Sequence, residues 1–503
     1  MQHLISIFES LLTLQNIFFI ILGVAGGALI SSLPGLTATM TLALIIPFTF
    51  SMNAITSLLL LGGLYVGAIY GSAIPAILIN TPGNPSGIAT TFDGYPLNKK
   101  GQTEQALMAS GVGSSSGGII GAIALLFLAP LLASVALSFG PPQLFWITVF
   151  ALTIIGTLTS KSQLRGFIGG AIGVLIGCIG IAPIGGDVRY TFGMWQLQGG
   201  IELVSALIGL FAIPQILEMV KEEKIRIGKA KPYKHQKGVL GEVVKYAIKK
   251  PYLLIRSALI GIIIGIKPGA GGNIAGIISY NEAVRWSKEP EKFGTGILDG
   301  VLAADTATGS EVGGSLIPLL ALGIPSAPPT AVLIGALLSH GMIPGPELFA
   351  KYGNIVYPFL FGFLIANIAL FFLAIYLPRI SSKLVNIPRY FLIPSIVFLC
   401  VVGSYSIRNS IFDVYIMVII GLIGYLLKQF DITAGPLVLG LILGPIMERA
   451  LIQSMLLVKS GESIAEVFFG NFISILLVML CILALLWPFI SKKHSLEVKE
   501  GEQ

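Results

Sequence analysis

Two carboxylates stand in a stretch of chain that is otherwise apolar or small. Asp305 and Glu311, with Thr306, Thr308, Ser310, Ser315 and Ser326, interrupt the run from Val301 to Pro329. Facing hydrocarbon such groups are costly, so they are expected to face a cavity, and an intramembrane carboxylate reads by default as functional. A carboxylate is a poor ligand for an anion and a natural one for a cation. Asp305 is therefore expected to serve a coupling ion or proton, the alternative being a structural partner for a cation or a helix terminus; both readings stand for Glu311. Six residues apart, the two would lie far apart around a continuous helix, whereas a break between them would bring both to one cavity.

The chain around them contains helix-breaking residues, and it contains them twice. Residues 314–329 read GSLIPLLALGIPSAPP and residues 71–86 read GSAIPAILINTPGNPS. Gly71, Ser72, Ile74, Pro75, Pro82 and Pro85 match Gly314, Ser315, Ile317, Pro318, Pro325 and Pro328 at a constant offset of 243. Upstream, Gly27, Pro34 and Gly35 match Gly261, Pro268 and Gly269 at an offset of 234. Each half thus holds an early Pro-Gly break and a later Pro-rich one, and duplication explains the pattern economically. A proline inside a helix removes a backbone hydrogen bond, and in a bilayer the freed groups must find protein, water or a solute. Paired interrupted helices in corresponding halves point to a midplane site in secondary transporters. Half-helix N-termini offer amides to an anion there, and exposed carbonyls can hold a cation.

The elements that must position these residues are membrane helices. The chain has 503 residues, 54% hydrophobic and 11% charged, with mean hydropathy +0.89, against about 25% charged in a soluble domain. A spanning helix takes about 20 apolar residues, and such stretches recur from Ile17 to Ile490, which leaves room for roughly 10 to 13 crossings. The expected fold is an all-α polytopic membrane protein. Its parts are a first membrane half over 15–220 with a break near 75–86, a basic cytoplasmic loop over 221–250, a second half over 251–490 with a break near 318–329, and a tail over 491–503. The N-terminus lacks the basic n-region and small-residue cleavage site of a secretory signal and reads as a retained first helix.

The net charge of +7 is concentrated in that loop, which the positive-inside rule explains better than nucleic acid does. Lys99 and Lys100, Lys161 and Arg165, Lys288 and Lys292, Arg379 to Arg389, Lys428, and Lys492 to His494 can then all lie inside, and residues 185–200 outside. Three spans before Lys99 would place the N-terminus outside and the two halves in opposite orientations, an inverted repeat; a re-entrant segment would reverse that.

Other chemistry is poorly supported. Cys178, Cys400 and Cys481 lie unpaired in apolar runs and read as packing residues. Gly113 to Gly117, GSSSG, fits G-x-S-x-G without the strand-turn-helix context of a nucleophile elbow and reads as close helix packing. His3, His235 and His494 lie in tails or the central loop, and His340, followed by GMIPGP, reads as a turn at the membrane edge rather than a proton relay. The sequence contains no H-E-x-x-H, paired cysteines or Walker motif, so neither an enzyme nor ATP-driven transport is expected.

The segments YGSAIPAILINTPGNPSGIATTFDGYPLNKKGQTEQAL, KPGAGGNIAGIISYNEAVRWSK and LIPLLALGIPSAPPTAVLIGALLSHGMIPGPELF resemble the large membrane subunit of the tripartite tricarboxylate transporters, over roughly residues 15 to 490. The resemblance implies a secondary transporter without a bound cofactor, importing di- or tricarboxylates across the cytoplasmic membrane on a cation gradient of Na+ or H+. It implies two partners, a small membrane subunit and a periplasmic solute-binding protein. The expected mechanism is alternating access, the alternative being a channel-like or scaffold subunit without ion coupling. Two departures fall in the expected site. The family tends to write a Glu followed by an Asn-Asn pair where this chain has Asp305 and then Thr308-Gly309, and Gly-Ser after GIP where this chain has Ser326-Ala327 before Pro328-Pro329.

With a carboxylate as the implied substrate, its oxygens would be met by amides and hydroxyls at the breaks: Asn80, Thr81, Gly83, Asn84 and Ser86 in the first half, Gly323, Ser326 and Thr330 in the second. Each of these can also be read as a cap or packing residue. GAGGN, with Gly269, Gly271, Gly272 and Asn273, could present further amides beside Lys267, which otherwise snorkels to the interface. The coupling ion, Na+ if it is a metal, is expected at Asp305, Glu311, Thr306 and Ser310. Asp93 in DGYP has the composition of a turn, and Asp187 and Arg189, in the outward loop with Trp195, read as solvated loop residues or as a docking surface.

Overall fold

A computed structural model describes residues 2–158, 162–221, 238–269, 271–461 and 463–500. Lys161, His235 with most of the basic loop, and residues 501–503 lie outside the described residues, as do the side chains of Asn273, Arg389 and Lys492 to His494. In chain order the helices are α1 Gln2–Leu11, α2 Leu14–Ser31, α3 Ala38–Thr49, α4 Ala54–Ile79, α5 Ile88–Lys99, α6 Thr103–Ala136 and α7 Pro141–Leu158. There follow α8 Gln163–Gly177, α9 Leu203–Lys221, α10 Val239–Ile248, α11 Pro251–Ile266, α12 Gly271–Arg285, α13 Leu298–Leu322 and α14 Pro328–Ser339. The last are α15 Pro346–Leu373, α16 Leu377–Leu384, α17 Arg389–Arg408, α18 Ile411–Gln429, α19 Ala434–Lys459, α20 Ile464–Phe469 and α21 Phe472–Glu500. Among the described residues the sole sheet is a two-stranded ladder of β1 Gly180–Ile181 and β2 Val188–Arg189. The fold is that of an all-α polytopic membrane protein.

Among the described residues, eight helices are long and apolar enough to cross a membrane, and six further apolar helices or described parts of helices have 10–17 residues. At about 1.5 Å per residue, α4 with its 26 residues reaches ~39 Å, whereas α3 with 12 reaches only ~18 Å.

The chain packs as two compact units, Met1–Ala136 with Phe211–Val414, and Leu137–Leu210 with Tyr415–Gln503. Packing thus groups chain from both sides of the basic loop, whereas the sequence halves describe a repeated pattern. In the second unit α8 lies on α19, with Gly173 and Gly177 against the carbonyls of Leu437 and Leu441. The Trp146 indole donates to the Phe468 carbonyl at 3.0 Å and the Gln143 amide to Ser474 Oγ at 2.9 Å. Arg189, half-buried, makes a two-pronged ion pair with Glu448 of α19. Asp187 and Trp195 of the same loop are exposed.

The first unit contains both sets of breaks. Glycines let its helices touch backbone to backbone. Gly23 and Gly27 of α2 face Leu60 and Leu64 of α4, and Gly67 and Gly71 face Val24 and Ala28, so α2 and α4 run parallel. The chain between them, α3 and its extended flanks, must return along their length. The second set repeats this: Gly261 and Gly265 of α11 face Ala307 and Glu311 of α13 in parallel, and α12 returns between them, Gly272 lying by Glu311, Gly276 by Thr308 and Ser279 bonded to Ala303. Gly113 and Gly117 of the GSSSG segment press α6 onto α13 at Leu302 and Thr306, a packing role rather than a nucleophile elbow.

A methyl group on Gly67 would stand 2.0 Å from the Val24 carbonyl oxygen, so any larger residue must part α2 from α4. Gly67→Leu is expected to cost at least about 1–3 kcal/mol, read as a lowered midpoint of thermal unfolding in detergent.

Candidate functional site

The helices run through Pro75 and Pro318 and stop five residues later. Asn80 (φ 57°) and Gly323 (φ 72°) take the left-handed conformation at the C-terminal ends of α4 and α13. Their amides bond back to Pro75 and to Leu319 and Pro318, closing the last turn. The next segments are extended at Asn84 and Ala327, and helix resumes at Pro85, as a 3₁₀ turn over Pro85–Gly87, and at Pro328 in α14. The break therefore lies after Glu311, not between Asp305 and Glu311: both sit on the unbroken α13. A left-handed residue followed by two spaced prolines stops the helix, whereas one internal proline costs it a single bond.

Most residues expected to face the solute hold the breaks together. The Thr81 hydroxyl donates to the Ile79 carbonyl at 3.3 Å, and the Gly83 amide to the Ser72 carbonyl at 3.3 Å. The Thr330 hydroxyl bonds both the amide and the carbonyl of Ala327, at 3.0 and 2.6 Å. The Ser326 hydroxyl donates to the Ser315 carbonyl at 3.1 Å, and its own carbonyl accepts from the Gly269 amide at 2.8 Å, tying the two breaks of the second half to each other. Asn84 makes no capping bond with its side chain. Gly271 (φ 62°) begins α12, and Lys267 is exposed at the end of α11.

The two carboxylates look to different neighbours. Asp305 is 2% exposed and Oδ1 accepts the Thr90 hydroxyl at 2.8 Å, from α5. Glu311, 1% exposed, has Oε2 3.2 Å from where a methyl on Gly272 would stand, and Ser86 Cβ is equally close to that point. Glu311 Oε1 and Ser86 Oγ have no hydrogen-bond partner among the described residues, and neither does Thr306 Oγ1. No Lys, Arg or His among the described residues forms an ion pair with either carboxylate. Ser310 turns away, donating to the Ala258 and Ala307 carbonyls at 2.9 and 3.0 Å, and Thr306 faces α6 through its backbone. Of the four residues expected to hold the ion, Ser310 directs its hydroxyl to backbone carbonyls, while Asp305 Oδ2, Thr306 Oγ1 and Glu311 Oε1 have no hydrogen-bond partner among the described residues. The two carboxylates lie along the seam between α5, α12 and α13, and their chemistry suits a cation or proton.

Three residues that the sequence left aside complete this seam. Thr90 bonds Asp305, Tyr65 of α4 meets Ser315 Oγ at 3.2 Å, and Tyr280 of α12 donates to Asp93 Oδ2 at 2.9 Å. Hydroxyl-bearing residues in helices that also contain the breaks or lie next to them are the signal that could have found them. DGYP is helical, within α5, and not a turn. Asp93 Oδ1 accepts the amides of Gly296 (2.7 Å) and Ile297 (3.1 Å), which lead into α13. Gly94 leaves room for Ile77, whose Cγ1 would be 2.8 Å from a methyl there. The motif clamps the start of α13, and with it the heights of Asp305 and Glu311.

Removing one partner of a buried charged hydrogen bond costs about 1–3 kcal/mol. Asp93→Asn is expected to destabilise the protein by that amount and Tyr280→Phe by about 1 kcal/mol. The double variant should fall short of the sum, measured by chemical unfolding in detergent.

Over residues 17–439 the chain matches the family described as the tripartite tricarboxylate transporter TctA family. It is similar to the uncharacterized 52.8 kDa protein in the TAR-I ttuC′ 3′ region of Agrobacterium vitis, 35% identical over 502 residues and 98% of each chain. It is also similar to an uncharacterized protein in the TAR-II ttuC′ 3′ region of the same organism, 34% identical over 238 residues, 47% of this chain and 97% of that one. No solved structure matches. The match to the family spans most of the sequence and contains both sets of breaks, and the chain belongs to the tripartite tricarboxylate transporter TctA family.

Proposed function

We propose that this chain is the large membrane subunit of a cation-coupled importer of di- or tricarboxylates, or related organic anions, in the cytoplasmic membrane. In this reading a periplasmic binding protein delivers the anion and a small membrane subunit completes the carrier. The family supports a membrane subunit of a tripartite transporter. The observation that carries the coupling is the pair Asp305 and Glu311, buried to 2% and 1% on one helix that breaks 11 residues after Glu311, without an ion-pair partner among the described residues. A carboxylate so placed is stable when a cation or proton occupies it.

The two halves are proposed to form an inverted repeat. Both contain a helix, a short returning helix and a long helix that ends at a Pro-rich break, α2, α3 and α4 in one half and α11, α12 and α13 in the other. The anion is proposed to lie where the breaks lean together, near the start of α14, whose positive end favours it. Alternating access then follows if occupancy by cation and anion lets the seam of α5, α12 and α13 part toward one side at a time.

Uptake of labelled carboxylates into proteoliposomes, with and without a cation gradient and the binding protein, tests this. Gradient-driven accumulation is expected; flux indifferent to the gradient would mark a channel-like subunit. Asp305→Asn should lose cation-dependent uptake while still inserting in the membrane, and unchanged cation dependence would remove Asp305 from the coupling.

A further inference from the structure

Ser86 and Glu311 come from opposite halves of the chain, yet both are fully buried against Gly272 and both hold an oxygen without a partner. Two backbone discontinuities, the 3₁₀ turn over Pro85–Gly87 and the first turn of α12 at Gly271 and Gly272, meet there against the continuous helix α13. Gly276 continues the contact one turn on, with the Ser86 carbonyl oxygen 3.5 Å from where its methyl would be. A side chain at Gly272 would fill the space between the serine and the carboxylate.

We infer that this meeting point binds one monovalent cation of the Na+ class, with Glu311 Oε1 as the anionic ligand and the Ser86 hydroxyl as a neutral one. The inference rests on the proposed reading of the protein as a cation-coupled carrier, and it moves Ser86 from the anion's side of the site to the cation's. An anionic substrate is repelled by Glu311. A divalent ion is disfavoured because one carboxylate balances one charge, and the described residues contain no group of three or more Asp, Glu, His or Cys able to hold a metal. Asp305 is engaged by Thr90 on the α5 side, so the two carboxylates serve different partners. Because Ser86 belongs to the first half and Glu311 to the second, a cation bound by both fastens α5 to α13 and is released when the seam opens.

The full-length protein in detergent is titrated with NaCl at ionic strength held constant with choline chloride, and the midpoint of thermal unfolding is read. Wild type should be stabilised by Na+ and not by choline. Ser86→Ala, a small change expected to fold, should need at least about tenfold more Na+ for the half-maximal shift, the loss that follows from weakening a metal's ligand set. Glu311→Gln should lose the shift. A wild type that responds to pH but not to Na+, or variants with the wild-type half-maximal concentration, would overturn the inference. Carboxylate uptake by the wild type separates the two failures: if it stays cation-driven while both variants bind Na+ normally, only the location is wrong, whereas uptake independent of any cation gradient removes the carrier reading itself.

Discussion

A backbone amide or carbonyl left open in hydrocarbon costs several kcal/mol, and this chain interrupts its membrane helices four times. The breaks must therefore satisfy one another. Gly269 donates to Ser326, Gly83 donates to Ser72, and Asn80 and Gly323 fold their amides back onto Pro75, Pro318 and Leu319. From that requirement comes the arrangement of the first unit. Parallel pairs of helices, α2 with α4 and α11 with α13, are pressed together by glycines, because only backbone contact leaves room for the returning segments between them.

The same requirement explains why the hydroxyls of the breaks are bonded to backbone. Hydroxyls at Thr81, Ser326 and Thr330 are engaged by neighbouring backbone. Oxygens without a partner among the described residues include Ser86 Oγ in the turn after the first break and Asp305 Oδ2, Thr306 Oγ1 and Glu311 Oε1 along α13. Asp93 and Tyr280 fix how α5, α12 and the entry of α13 meet, which keeps Ser86 and Glu311 facing each other. Polar groups that the fold satisfies and polar groups that it leaves open are thus neighbours on one seam.

Much of this was legible in the sequence, for reasons particular to certain residues. Prolines and glycines at a constant spacing announced both breaks, and polar residues in an apolar run announced α13. Their positions were less legible. Within 75–86 and 318–329 the helices run through Pro75 and Pro318 and end at the left-handed turns of Asn80 and Gly323. A continuous helix sets Asp305 and Glu311 apart around its circumference whereas a break between them would bring both to one cavity, and α13 is continuous there, giving each its own neighbour. Ser310 was grouped with them by proximity in sequence, and packing turns it toward α11. The composition of DGYP suggests a turn, and a distant partner, the approach to α13, makes it helix instead. In each case tertiary contact decided what local pattern left open.

The central claim is that the seam between α5 and α12 must part for transport. Ala89 Cβ lies 3.4 Å from where a methyl on Gly276 would stand, close to the separation a disulfide spans. In a chain whose own three cysteines are replaced by serine, Ala89→Cys with Gly276→Cys can be cross-linked by oxidation and released by reduction, and carboxylate uptake into proteoliposomes measured in both states. The account predicts that uptake is lost on oxidation and returns on reduction. Equal uptake by the cross-linked and reduced protein would contradict it.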